Sequence, residues 1–239
     1  MNPMKTSGWL QGLYETSANA REEVGTMQCD LYGNVYRYAK AGSTALAAGK
    51  MTVAAGIASA VTNKNAIAAE IGTKVLNLNI SSATYAADFF KGGQLQINDA
   101  DGEGHRYLIM SSSAVSSGTS ISVSLGDGIR KALTESSEFT LVHSPFMATA
   151  ISTTEENEPT GIPLVDVPAE AYYWSQTKGE GICLITGAPA VGSMLTLSST
   201  AGAVKAIDAT LDIDQPYIAR MMGTAGVAGE YKPVKLCID

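Results

Sequence analysis

Charge is the first thing this chain has little of. Only 16% of its residues are charged, with 23 acids against 16 bases and a formal net charge of −7. No cluster of Lys and Arg occurs, so the basic face that phosphate binding needs is missing and nucleic acid is not an expected partner. Long apolar runs are absent as well. None approaches the roughly 18 residues that cross a bilayer as a helix, so no membrane partner is expected. The opening stretch MNPMKTSGWLQGLYETS has one lysine and no apolar core, which excludes the pattern of a secretory signal. Cysteine is scarce and odd in number: Cys29, Cys183 and Cys237 are far apart, unlike the paired set of an extracellular disulfide scaffold. They read as free thiols of a protein folded in a reducing cytosol, with Cys183 a buried apolar residue inside GICLIT. The helix formers Glu, Lys and Gln are sparse beside Gly, Ala, Ser and Thr, a balance that favours strands and turns.

What is present is a succession of short alternating segments. KVLNLNI sets Leu76, Leu78 and Ile80 on one face against Val75, Asn77 and Asn79. SISVSL does the same with Ile121, Val123 and Leu125, and EFTLVH closes the set with Phe139, Leu141 and Val142. GGQLQIND and GEGHRYLIM flank the tip Asp99-Ala100-Asp101-Gly102 as a hairpin. VYRYAK reads as a strand entering a hairpin at Gly42. Residues 53–72 read as an extended passage with one short helical turn, and Asp127–Leu133 as another such turn. The last seventy residues, from Glu170, look like a compact β module. It opens on Tyr172, Tyr173 and Trp174, and closes on VKLCID, where Val234, Leu236 and Ile238 alternate with Lys235, Cys237 and Asp239. The fold class expected is mainly β: two small β-barrel- or sandwich-like lobes with an extended N-terminal arm. The expected boundaries are an arm at 1–35, a first β domain at 36–147, a linker or long loop at 148–169 and a second β domain at 170–239. The linker is inferred from the acids, prolines and threonines of ATAISTTEENEPTGIPLVDVP. Trp9, Leu10, Leu13 and Tyr14 stand out as apolar anchors in a polar, Gly-containing arm that orders only by lying on its own globule or on a partner.

Chemistry-bearing motifs are few, and each is incomplete. GSTALAAGK resembles a phosphate-binding loop, but six residues separate its glycines and Met51 follows the lysine, where Ser or Thr should hold magnesium. NDADGEG would place Ile97 and Leu108 at the first and twelfth positions of a calcium loop, which removes two oxygen ligands. His105 and His143 lack zinc-ligand spacing, and Ser175 and Lys178 have the Ser-x-x-Lys spacing without its companion motifs. The Tyr172–Trp174 cluster fits a core or interface anchor, or alternatively a sugar platform. No catalytic residue, metal or cofactor is expected, and no enzyme.

Several phrases together resemble the decoration, or cement, proteins of tailed-bacteriophage heads: VYRYAKAGSTALAAGK, GGQLQINDADGEGHRYLI, LGDGIRKALTESSEFTLVHSPF, AYYWSQTKGEGICLITGAPAVG and TAGVAGEYKPVKLCID. The likeness covers most of residues 27–239 and leaves the first 26 outside it. It implies a mainly β virion structural protein, often a homotrimer. Such a protein is made in the host cytoplasm, binds the major capsid protein on the exterior of the expanded capsid, stabilises the shell and uses no cofactor. Within that reading Trp9, Leu10, Leu13 and Tyr14 are the candidate capsid contacts. The alternative is another virion component, a tail or receptor-binding protein that grips a carbohydrate.

Overall fold

A computed structural model describes residues 9–208 and 215–239. The chain is mainly β and divides into two compact units. One unit is the segment Gly56–Ser144; the other is formed by the chain before it, through Ala55, and the chain after it, from Pro145. In chain order the strands are β1 (Met27–Cys29), β2 (Val35–Lys40), β3 (Thr52–Val53), β4 (Lys64–Asn65), β5 (Val75–Tyr85), β6 (Gln94–Asp99), β7 (Arg106–Ser112) and β8 (Val115–Leu125). There follow β9 (Glu138–Val142), β10 (Ala150–Ile151), β11 (Pro159–Pro163), β12 (Tyr172–Ile185), β13 (Met194–Leu197), β14 (Ala203–Ala206), β15 (Ala219–Met221) and β16 (Tyr231–Cys237).

The inserted unit is a six-stranded antiparallel sheet in the order β4-β9-β6-β7-β8-β5. Its strands form where side chains alternate, because a strand with one buried face repeats every two residues. Leu76, Leu78 and Ile80 of β5 meet Ile121, Val123 and Leu125 of β8 in one core, together with Phe90, Leu95, Phe139 and Leu141. The hairpin β6–β7 turns at 99–102 as expected, and a short 3-10 turn sits at Ser59–Val61. The helical turn expected at Asp127–Leu133 does not form. The backbone there bends so that Ile129 and Leu133 drop into the core, while their amides bond back to Thr73 and Ala69.

The second unit is built on β12, fourteen residues long. Its first half pairs with β2 and β11, and its second half with β16 and β14. The pairings β12–β14, β14–β13, β13–β15, β15–β16 and β16–β12 close a ring. Cys183, Ile185, Leu195, Leu197, Val204, Val234 and Leu236 fill its interior. Closure removes the exposed strand edges that an open sheet of this size would present. Cys183 is buried there as expected, and burial pushes its thiol up to about 12; Cys29 is exposed and Cys237 half-buried, and all three are free.

Two expected boundaries are corrected. The stretch 148–169 does not divide the chain: β10 and β11 within it both pair with β3, and Pro159–Pro163 is buried throughout. Acids and prolines suggested a loop, yet the prolines stand at the two ends of β11, where no ladder amide is lost from its middle. Likewise β2 does not enter a hairpin at Gly42. It is an interior strand between β1 and β12, and Gly42 bonds instead to Thr149.

Gly161 shows how tightly this region is held. Its φ is 108°, and a Cβ there would run into the carbonyl of Gln176 and sit 2.6 Å from Ser175 Oγ. Gly161→Ala should therefore lower unfolding stability by about 2–4 kcal/mol, from strain plus collision. Urea titration should show a lower midpoint with an unchanged slope; an unchanged midpoint would mean that β11 is only loosely attached.

Candidate functional site

The N-terminal segment contributes first to the protein's own core. Trp9 and Leu13 are buried, each 4% exposed, with Tyr36, Tyr38 and Trp174, whereas Leu10 and Tyr14 are 67% and 54% exposed. The Trp9 ring lies 4.9 Å from that of Trp174 and 5.7 Å, edge-on, from that of Tyr36. Gln11 fastens the segment between them. Its carbonyl accepts the Trp174 indole N–H at 3.0 Å, and its side-chain oxygen accepts the Tyr38 hydroxyl at 2.7 Å. Ser17 and Tyr172 then exchange backbone hydrogen bonds. The expectation that all four anchors serve a partner is thus corrected for Trp9 and Leu13. Both side chains turn inward onto rings that stand there to receive them. Residues 1–8 of the expected arm lie outside the described residues.

The next segment builds a projecting tip. β1 and β2 are joined through Asp30-Leu31-Tyr32-Gly33-Asn34, with Gly33 at φ 84°. The Asp30 carboxylate is the brace. It accepts the amides of Tyr32 (2.8 Å) and Asn34 (2.9 Å), the Asn34 side-chain amide (2.7 Å) and the Tyr36 hydroxyl (3.2 Å). Burial, the largest single influence, disfavours its charged form, but the hydrogen bonds from Asn34, Tyr32 and Tyr36 outweigh it and hold the carboxyl below its ordinary value. Burial and the Asp30 charge push the Tyr36 hydroxyl up. Leu31 and Tyr32 ride on this brace at 77% and 74% exposure. Two large apolar side chains are therefore displayed on an ordered turn, an arrangement that costs water contact unless something covers them. Sequence reading missed this tip. The signal was the Asp-x-x-Gly-Asn pattern of a side-chain-braced turn, with apolar residues where polar ones are usual.

Beside the tip lies a cleft of about 630 Å³. It opens where β12 changes partners. β2 leaves β12 at Lys178 and β16 joins there, with a bulge between Gln176 and Lys178. The bulge leaves the carbonyls of Lys178 and Glu180 to be bonded by the Gln176 side-chain nitrogen, at 3.3 and 2.9 Å. Because both of these partners are carbonyls, the orientation of the amide is determined: nitrogen toward the strand, oxygen away from it. Gln176 is 4% exposed, and among the described residues its oxygen receives no hydrogen bond. Tyr14, Tyr36 and Tyr231 contribute rings to the cleft, Ile162, Leu164 and Ile182 aliphatic surface, and Glu180 a carboxylate. Gly49 gives the Tyr231 ring room, since a Cβ there would come within 2.9 Å of it.

The other sequence candidates are placed less suggestively. Tyr173 and Trp174 are each 1% exposed and form core, the reading favoured for this cluster over a sugar platform. Ser175 points inward, its hydroxyl donating to the Thr160 carbonyl at 2.8 Å, while Lys178 faces solvent; the Ser-x-x-Lys spacing does not bring them together. A ring nitrogen of His143 meets the Ser144 carbonyl at 2.8 Å and one of His105 the Tyr107 hydroxyl at 3.2 Å. At the 99–102 tip, Asp99 accepts the Ala100 amide within the turn, and Asp101 pairs with Lys131 at 3.4 Å. Among the described residues no group of three His, Cys, Asp or Glu stands close enough to hold a metal ion. Compared with known protein families, curated proteins and solved structures, the chain matches none.

Two outcomes follow from these contacts. Trp9→Ala should destabilise the protein by about 3–5 kcal/mol, the usual cost of emptying a buried tryptophan site. Removal of residues 1–26 should bare Tyr36, Tyr38 and Trp174 and lower the melting temperature; an unchanged near-ultraviolet circular dichroism spectrum after that deletion would contradict the packing. Asp30→Asn should cost about 1–3 kcal/mol at pH 7, because a charge-assisted brace is replaced by a neutral one. The folded carboxyl titrates below its unfolded value of roughly 3.9, so its contribution is complete above that pH and is lost as pH falls through the folded value. Stability curves of wild type and Asp30→Asn should therefore converge in acid; a gap that stays constant from pH 7 to pH 2.5 would refute the assignment.

Proposed function

We propose that this protein is a virion structural component, a decoration or cement protein. It binds the major capsid protein on the exterior of the expanded capsid and stabilises the shell. It is made in the host cytoplasm, acts without a cofactor, and is neither an enzyme nor a nucleic-acid or membrane binder. The sequence resemblance suggests the class, and the observation that carries the reading is the braced tip with Leu31 and Tyr32 displayed on it. An apolar pair on a turn held by four hydrogen bonds needs little ordering when it docks, so little of its contact energy is lost to entropy. Tyrosine in particular supplies large contact area with a polar end, as interface hot spots do. Leu10 and Tyr14 remain as the exposed half of the expected arm contacts.

A protein that binds only the assembled, expanded shell stabilises that state by mass action. A homotrimer seated on a local three-fold position presents three tips at once, and each contact after the first forms at high effective concentration. The mostly small, uncharged composition and the acid excess suit packing against protein rather than nucleic acid.

Co-sedimentation tests this directly. The protein should pellet with DNA-emptied expanded capsids and stay in the supernatant with compact precursor shells. Leu31→Ala and Tyr32→Ala should each weaken capsid binding by about 2 kcal/mol or more without changing the melting temperature. Absence of binding to expanded capsids, or equal binding to both shells, would remove the proposal.

A further inference from the structure

The cleft at the partner change of β12 does not depend on the capsid reading and has a chemistry of its own. We propose that it is a binding site for a neutral oligosaccharide. Its volume of about 630 Å³ lies within the range of roughly 300–1,000 Å³ usual for small-molecule sites.

The deciding group is Gln176. The residue is 4% exposed and its nitrogen is committed to two backbone carbonyls, while its oxygen keeps contact with solvent at the cleft, an acceptor open to a donor. It faces Gly181: a Cβ on residue 181 would stand 3.1 Å from both Gln176 Oε1 and Ile162 Cδ1. Residues 162, 176 and 181 all line the cleft, so the missing side chain keeps its inner end open beside the acceptor. A purely apolar ligand would bury this oxygen unpaired, at the full cost of its desolvation.

The mouth argues against a charged ligand. Among the described residues the Glu180 carboxylate has no hydrogen-bond or ion-pair partner, which opposes an anion there. Lys235 stands directly across from it on β16, which lowers the attraction for a cation. The hydroxyls of Tyr14 and Tyr231 likewise have no protein partner among the described residues and can both give and accept. A neutral ring with hydroxyls at its edge and C–H groups on its faces answers each feature. One hydroxyl donates to Gln176 Oε1, others bond Glu180 and the tyrosine hydroxyls, and the apolar ring face lies on the exposed Tyr14 or Tyr231 ring. Tyr231 is 42% exposed and Tyr14 54%, so these rings are available at the surface.

The test applies the full-length protein to an array of neutral and acidic oligosaccharides, followed by NMR titration with the best-retained neutral one. Neutral oligosaccharides should be retained at physiological salt. Tyr231→Ala and Gly181→Ala should each weaken that binding at least about tenfold, a change of about 1.4 kcal/mol. Glu180→Gln should weaken it less, since an amide still accepts. Tyr231 is 42% exposed, so Tyr231→Ala should lower the melting temperature only slightly and leave the protein folded, which keeps the result readable if Gly181→Ala folds poorly. Retention of no neutral oligosaccharide overturns the proposal, as does binding unaffected by Tyr231→Ala. Retention of acidic oligosaccharides alone, abolished by salt, overturns it too. Capsid binding that persists while every oligosaccharide fails would leave the structural role standing and assign the cleft to a protein contact instead.

Discussion

Strand β12 is the constraint on which the larger unit depends. It is hydrogen-bonded along both edges, to β2 and β11 in its first half and to β16 and β14 in its second. A strand of this length cannot serve two sets of neighbours with different directions unless its ladder is interrupted between them. The bulge at Gln176–Lys178 and the glycines at 179 and 181 supply the interruption. Gly179, at φ 94°, also admits the Asn34 side chain, whose oxygen accepts the Glu180 amide at 2.9 Å. The same break that lets the barrel close thus leaves two carbonyls for Gln176 and a gap that becomes the cleft.

The N-terminal segment follows from the same strand. Tyr172 and Trp174 offer β12's backbone and an indole N–H to residues 11–17, and Trp9 and Leu13 cover the rings that β2 and β12 bring together. Burial divides the segment's side chains: the inward ones stabilise the unit, and Leu10 and Tyr14 are left exposed. The Asp30 brace makes the neighbouring turn equally definite. Its four acceptor contacts use a charge whose burial would otherwise be costly, and they fix the direction in which Leu31 and Tyr32 point.

Much of the secondary structure was legible because alternation is a local property. Leu76-x-Leu78-x-Ile80 and Ile121-x-Val123-x-Leu125 declare their buried faces whatever they pair with, and Val234-x-Leu236 does so in β16. Other readings failed for reasons equally physical. Residues 148–169 look like a linker by composition, but short strands such as β10 are made by their partner β3, about a hundred residues away. Asp127–Leu133 has helix-compatible residues, yet Ile129 and Leu133 gain more by reaching the core than one isolated turn could supply. The polar spacing around Trp9 left its own globule and a partner both open as what the arm lies on, since nothing local records that Trp174 waits for it.

The candidate sites divide the same way. From the residues alone came the mainly β class, the strands with one apolar face, the buried Cys183 and the polar hairpin at 99–102, all set by side-chain periodicity and turn chemistry over a few residues. Only the tertiary structure decided that Gly56–Ser144 is an insertion, that Trp9 and Leu13 belong to the core, and that Gln176, Glu180, Gly181 and Tyr231 share one cleft. Those outcomes rest on pairings between segments far apart in the chain, such as β12 with β16 and β12 with β2, where burial and hydrogen bonding are settled by which neighbour arrives and not by the local sequence.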